Sequence, residues 1–155
     1  KAIQRWRFPG DPRLAHLLDV TACESGIVDQ SQRRYALQEA ERLLSRFCSH
    51  PLWQAIQQTS VRLNEVPYTL LRADGSTEVG YIDLLFREQA SSTGWTIIDF
   101  KTDTIQSDGE LALLVERYTR QARRYTRAVR ALLGPVDAVK LCFLDACGKV
   151  AVIEV

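Results

Sequence analysis

The segment from Trp95 to Lys101 constrains the fold more than any other part of the chain. It is rich in aromatic and β-branched residues, which is typical of a β-strand. Side chains alternate between the two faces of a strand. One face would carry Thr96, Ile98 and Phe100, and the other would carry Ile97, Asp99 and Lys101. Apolar residues on both faces indicate a strand in the middle of a sheet that other elements cover on each side.

The rest of the chain predicts helices and strands in a definite order around this strand. Apolar residues recur at helical spacing in residues 12–20, 36–47, 52–59 and 109–133. Further strands are predicted at residues 61–71, 79–86, 139–144 and 150–155, with turns at 73–76, 91–94 and 145–148 and a polar loop at 21–32. This order predicts an α/β domain with a mixed β-sheet of about five strands flanked by helices.

Length and composition are those of an ordinary globular domain. The 155 residues fall within the usual size of one domain, and 46% of them are hydrophobic and 25% charged. We therefore expect residues 1–155 to form a single domain. The chain contains no Met, so we expect it to be a piece of a longer protein. Its net charge of +1 gives no overall argument for a nucleic-acid or lipid partner. Any argument for such a partner must rest on local patches of charge.

The sequence excludes several other classes. The longest aliphatic run, residues 111–115, is far too short to span a bilayer, and no secretion signal is visible, so we expect a cytoplasmic protein without a membrane segment. The four cysteines include no C-x-x-C pair, which favours reduced thiols over an iron–sulfur cluster. Neither a phosphate-binding loop of a nucleotide motor nor a nucleophile elbow is present.

Two carboxylates interrupt the apolar strands. Asp99 lies in the predicted central strand, and Asp83 lies in the apolar run of the preceding one. Asp99 and Lys101 on one face are costly to bury unless they are paired or bind a ligand, so a buried ion pair and a functional site both stay open. Adjacent strands would bring Asp83 close to Asp99, where like charges raise each other's pKa. Such a pair favours a divalent cation, and hard oxygen ligands select Mg²⁺ or Mn²⁺.

The spacing of these residues resembles the signature of the PD-(D/E)xK nucleases. The matching residues are Gly80-x-Ile82-Asp83, then Asp99-Phe100-Lys101, then Tyr118-x-x-Gln121-x-x-x-Tyr125. More narrowly, the chain is similar to the C-terminal nuclease domain of the bacterial RecB and AddA helicase–nucleases, whose motors are UvrD/Rep-like helicases. The resemblance implies a restriction-endonuclease-like fold. It also implies a catalytic site formed by Asp83, Asp99, Lys101, Gln121 and Tyr125.

The resemblance further implies that a histidine on an early helix joins the metal site. His16, in Leu14-Ala15-His16-Leu17-Leu18, stands at the matching position, so the implied metal ligands are His16, Asp83 and Asp99. The preceding residues 10–13 depart from the small-residue segment usual in the family. Without the resemblance, His16 would be interpreted as a polar residue at the solvated edge of a short helix. Glu65 could also point toward the carboxylates, but an exposed strand acid is the commoner explanation.

The predicted long helix carries two different faces. At 100° per residue, Gln121 and Tyr125 fall on the side of the apolar residues and would face the sheet together, although Tyr125 could equally be ordinary core. The opposite side would carry Arg117, Arg120, Arg123, Arg124, Arg127 and Arg130. This basic stripe could follow phosphates, remain solvated, or contact a part of the parent protein outside this chain.

The paired carboxylates predict a site for Mg²⁺ or Mn²⁺, and the resemblance implies that the chain is a metal-dependent DNA nuclease domain, in the exonuclease class. From the resemblance, its expected partners are DNA, above all single-stranded DNA, the helicase domains of the same polypeptide and a possible second subunit. The expected process is double-strand-break repair and recombination. Two alternatives stay open. One is a nuclease-like module that binds DNA or a partner without cutting, and the other is a structural domain with a buried ion pair.

Overall fold

The computed structural model describes residues 1–72, 74–87 and 94–155. Its helices are α1 (Leu14–Glu24), α2 (Gln30–Cys48), α3 (Pro51–Gln57) and α4 (Asp108–Leu132). Its strands are β1 (Arg62–Leu71), β2 (Thr77–Phe86), β3 (Trp95–Ile105), β4 (Val136–Ala146) and β5 (Lys149–Glu154). The predicted turn at 91–94 lies largely outside the described residues.

The five strands form one mixed sheet in the order β1-β2-β3-β4-β5. Neighbouring strands are antiparallel except for β3 and β4, which are parallel and are joined by α4. The predicted strand at 95–101 is therefore central, and the prediction of a mixed five-stranded α/β fold is confirmed. Parallel strands need a long crossover connection, which α4 provides.

Helices cover both faces of the sheet. On one face, Leu84, Phe86, Ile98 and Cys142 pack with buried residues of α1, α2 and α3. On the other face, buried residues of α4 pack against Ile82, Leu85, Ile97 and Leu141. The alternation between Ile97 and Ile98 explains why β3 is apolar on both sides. Among the described residues, no helix has the length and hydrophobicity needed to cross a membrane.

Capping residues determine where the helices begin, and here the sequence prediction was partly wrong. The predicted loop at 21–32 is helical at both ends, because α1 continues to Glu24 and α2 begins at Gln30. Ala22 is buried against the core, and the Asp29 carboxylate accepts a hydrogen bond from the Gln32 amide at the start of α2. In α4, the Ser107 hydroxyl accepts from the Glu110 amide in the same way.

Candidate active site

Strands β2 and β3 separate at the two carboxylates. Their ladder ends at the pair Leu84 and Ile98, so Asp83 and Asp99 face each other one position beyond it. At this break, the amide of Phe100 donates a hydrogen bond to Asp83 Oδ2 at 2.8 Å instead of to a strand partner. The local separation of two strands therefore creates space for polar side chains between elements that are otherwise tightly packed.

Asp99 and Lys101 are both buried at this break, with 2% and 9% of their surfaces exposed. Lys101 Nζ lies 2.7 Å from Asp99 Oδ2, which is an ion-pair distance. The same oxygen has no well-aligned hydrogen-bond partner among the described residues. That oxygen is therefore an ion-pair partner of the ammonium, although their contact does not have hydrogen-bond geometry. Two buried charges are costly unless they are paired or bind a ligand.

Helix α4 holds Lys101 from the other side. Lys101 Nζ donates to Gln121 Oε1 at 3.0 Å, and it lies 4.0 Å from the centre of the Tyr118 ring. Gln121 Nε2 in turn donates to the Tyr125 hydroxyl oxygen. The prediction that Gln121 and Tyr125 face the sheet together is therefore confirmed. Tyr125 also packs edge-on against Tyr68 at 6.0 Å, so it belongs to the core as well.

Gly80, the first residue of the motif, leaves room for the ring of Tyr68. It pairs with Tyr68 across β1 and β2, and a Cβ added at Gly80 would lie 2.7 Å from Tyr68 Cε1. Only glycine allows the Tyr68 ring to lie this close to the backbone. The ring position matters because Tyr68 contacts Tyr125, the last residue of the chain of contacts that begins at Lys101.

The site carries an excess of negative charge. Burial raises the pKa of Asp83 to about 7, the Asp99 and Glu65 charges add to this, and the Phe100 hydrogen bond and Lys101 oppose it. Burial, with a further contribution from Asp99, also raises the pKa of Tyr125 to about 12. Both shifts have the direction expected where one ammonium does not compensate the nearby carboxylates.

Glu65 lies beside this site, which the sequence did not favour. It stands opposite Asp83 where the β1–β2 ladder is interrupted, and its backbone φ is 50°. Its Oε1 is buried and has no hydrogen-bond partner among the described residues. The sequence signal was an acid within a strand, which usually marks an exposed position, so only the long-range register reveals its location.

His16 is exposed on α1, whose buried residues are Leu14, Leu17, Leu18 and Ala22. A cavity of about 390 Å³ lies between α1, α2 and the sheet, and Asp83 lines it. The α1 residues that line it are Leu18 and Thr21, not His16. The structure therefore does not bring His16 together with the carboxylates, and its role as a ligand stays a prediction.

Within the described part of the chain, no three His, Cys, Asp or Glu side chains form a metal-binding group. The donors at the break fit a different kind of site. Mg²⁺ is usually held by one or two protein carboxylates and keeps several waters. Asp83 and Asp99, which stand opposite each other at the break, are residues of the type that such an ion would need.

Comparisons with known proteins agree with the motifs. The AddA protein of Bacillus cytotoxicus, an ATP-dependent helicase/nuclease, is 33% identical over 125 residues, 68% of this chain and 10% of that protein. The protein of the same name from Desulforudis audaxviator is 37% identical over 75 residues, 48% of this chain and 6% of that protein. The predicted resemblance to AddA is confirmed. The chain spans a tenth or less of the length of these AddA proteins.

A comparison of folds finds a similar architecture. A candidate exonuclease from Eubacterium rectale superposes with a TM-score of 0.56 at 15% identity, covering 97% of this chain and 62% of that one. This similarity supports the restriction-endonuclease-like fold that the AddA resemblance implies. No protein-family profile matches the chain.

Proposed function

We propose that this chain is the nuclease domain of an AddA-like helicase–nuclease and hydrolyses DNA phosphodiester bonds with Mg²⁺ or Mn²⁺. The observation that carries the proposal is the buried group of charges at the strand break: Asp99, 2% exposed, lies 2.7 Å from the buried Lys101 and opposite Asp83, one position beyond the end of the β2–β3 ladder. Buried ionisable groups with a perturbed pKa and a specific charged partner are candidates for a functional site. A bound cation and a phosphate would together balance the charges of the carboxylates and the lysine.

Asp83 and Asp99 would hold the cation. Its donors are hard oxygens, which suit Mg²⁺ and Mn²⁺, and a histidine such as His16 would be more acceptable to Mn²⁺. When bound, the cation supplies positive charge that polarises the phosphate and favours ionisation of a water. The Phe100 amide fixes one oxygen of Asp83 by a 2.8 Å hydrogen bond, so the carboxylate is oriented before any ligand arrives.

Lys101 would act on the phosphate itself. Negative charge increases on the phosphate oxygens in the transition state, and an ammonium already held in place stabilises that charge without reorganisation. The Gln121 carbonyl oxygen and the Tyr118 ring restrict where Nζ can lie. Gln121 and Tyr125 would then be positioning residues that act through Lys101.

The substrate that we propose is single-stranded DNA delivered by a helicase. The curated relatives are named as helicase/nucleases, and this chain matches a tenth or less of their length. A polypeptide of that size has room for helicase domains beside a nuclease domain formed by residues 1–155. Helicase domains of the same polypeptide and a second subunit would be its protein partners in DNA double-strand-break repair and recombination.

A cleavage assay tests the proposal. End-labelled single- and double-stranded DNA would be incubated with the chain in Mg²⁺, in Mn²⁺ and in EDTA. We expect cleavage with either ion and none in EDTA, and at least a roughly 100-fold slower rate for Asp99→Asn. The matched control is Glu78→Gln, a second buried acid outside the site, which should remain active. Binding of DNA without any cleavage would favour the non-cutting module instead.

A further inference from the structure

Helix α4 concentrates the positive charge of the molecule. Six arginines occur between residues 117 and 130, and residues 117–136 contain no Asp or Glu. The whole chain has a net charge of only +1, so this segment differs sharply from the rest. A local concentration of like charges creates a field that attracts an anionic partner, whatever the net charge of the protein.

The arginines are not all on the side away from the sheet, which corrects the expectation from the sequence. At 100° per residue, Arg117 and Arg124 lie about 40° and 60° from Gln121, while Arg123 and Arg130 lie on the opposite side. Burial and the Glu78 hydrogen bond raise the pKa of Tyr68 on β1, and the charge of Arg124 partly opposes this increase. Arg120 lies about 100° from Gln121, on the same side of it as Arg117 and Arg124. These three arginines, spaced three and four residues apart, therefore form a row along the edge of the active-site face, which we call the arginine ridge.

The arginine ridge is free to bind an anion. All three side chains are exposed. Arg120 and Arg124 form no hydrogen bond or ion pair with any described residue, and the one contact of Arg117 is with the Tyr118 ring, 5.7 Å from its Cζ. Arg127, one turn further on, differs because it donates to Glu78 at 2.6 Å. The ridge thus lacks the intramolecular carboxylate that holds its neighbour.

We propose that the arginine ridge binds the backbone phosphates of the nucleic-acid strand that flank the cleaved bond. This inference rests on the proposed function. Seven residues of helix separate Arg117 from Arg124, about 10 Å. The three guanidinium groups are therefore spread along the helix and can contact more than one phosphate of an extended strand. Its place beside Gln121, which contacts Lys101, favours a strand leading to the site over an acidic protein.

The test compares two variants of equal charge. One carries Arg117→Gln, Arg120→Gln and Arg124→Gln. The control carries Arg34→Gln, Arg123→Gln and Arg130→Gln, at arginines that are also exposed. Affinity for a fluorescent oligothymidine would be measured by anisotropy at several KCl concentrations in EDTA, where no cleavage is expected. Each phosphate contact to a single strand contributes about 0.7 to the slope of log affinity against log salt.

We expect the ridge variant to flatten this slope by about 2, while the control changes it by less than about 1. Equal slopes for the ridge variant and wild type, or an equal flattening in the control, would overturn the proposal. Circular dichroism would confirm that both variants fold.

Cleavage by the wild-type chain in Mn²⁺ separates the two proposals. Cleavage together with an unchanged slope in the ridge variant would refute the ridge and leave the nuclease function standing. Binding without cleavage, with a flattened slope, would refute the nuclease function and support the ridge. Failure of the wild type to bind DNA would contradict both.

Discussion

Two buried acids in this molecule, Glu78 and Asp99, differ in the partners that their carboxylates contact. Glu78, 6% exposed, accepts hydrogen bonds from the Tyr68 hydroxyl at 3.1 Å, from Arg72 at 3.1 Å and from Arg127 at 2.6 Å. Asp99, 2% exposed, has an ion-pair contact with Lys101 at 2.7 Å that lacks hydrogen-bond geometry. The first acid has two arginines and a hydroxyl as partners, whereas the second shares one ammonium with Asp83.

We propose that this difference separates a structural role for Glu78 from a functional role for Asp99. Glu78 joins the β1–β2 hairpin to α4 through Arg127, 49 residues away in the sequence. Burial alone would raise the pKa of Glu78, but the hydrogen bonds from Arg72 and Tyr68 and the charge of Arg127 hold that pKa below its ordinary value. Beside Asp99 the balance is reversed, since burial raises the pKa of Asp83 to about 7. Under the proposed function, a cation would compensate this charge.

The largest expected effect concerns Lys101→Met, which keeps the aliphatic stem and removes the charge. We expect the single-turnover cleavage rate to fall at least about 100-fold, because the ammonium stabilises charge that develops in the transition state. DNA affinity in EDTA should change by less than about fivefold, since one phosphate contact among several is lost. Equal losses in rate and affinity would instead show that Lys101 only binds the phosphate and does not act specifically on the transition state.

A smaller effect is expected for Gln121→Ala. Its carbonyl oxygen restrains Lys101 Nζ at 3.0 Å, so its removal should slow cleavage by about tenfold or more while leaving Mn²⁺ affinity unchanged. Gln121→Glu keeps an acceptor at this position and should retain more activity than the alanine variant. Full activity of Gln121→Ala, together with a loss of activity in Arg123→Ala on the opposite side of α4, would contradict the role assigned to Gln121.

Much of this arrangement could be predicted from the sequence, and the reasons are local. Apolar residues on both faces of β3 predicted its central place, and the four-residue spacing of Gln121 and Tyr125 predicted their shared face. The satisfied state of Glu78 could not be predicted, since Arg127 reaches it only through the tertiary fold. The location of Glu65 also depends on strand register, and the packing of Trp6 and Phe8 against Trp53 depends on long-range contacts.

Glu78→Gln tests whether Glu78 stabilises the fold. We expect it to lower the free energy of unfolding by about 1–2 kcal/mol at pH 7, because charged hydrogen bonds are lost. The value is modest because the side chains of Arg72 and Arg127 are 46% and 59% exposed, and water screens them. Urea unfolding followed by circular dichroism would measure the difference.

This difference should depend on pH in a definite direction. The pKa of Glu78 is lower in the folded protein than its ordinary value of 4.5, so its stabilisation is fully present above pH 4.5. It is lost as the pH falls through the folded pKa. The wild type and Glu78→Gln should therefore approach equal stability in acid, and a constant gap down to about pH 3 would contradict this assignment.

The most direct test of the contrast between the two acids is Mn²⁺ binding and metal-free stability of Asp99→Asn, measured on the same preparation. If Asp99 serves a cation, the variant should lose at least about tenfold in Mn²⁺ affinity by isothermal titration calorimetry. Its free energy of unfolding in EDTA should equal or exceed that of the wild type, because relief of repulsion from Asp83 should offset the loss of the ion pair with Lys101. Unchanged Mn²⁺ affinity with a marked loss of stability in EDTA would show that Asp99, like Glu78, is a structural acid.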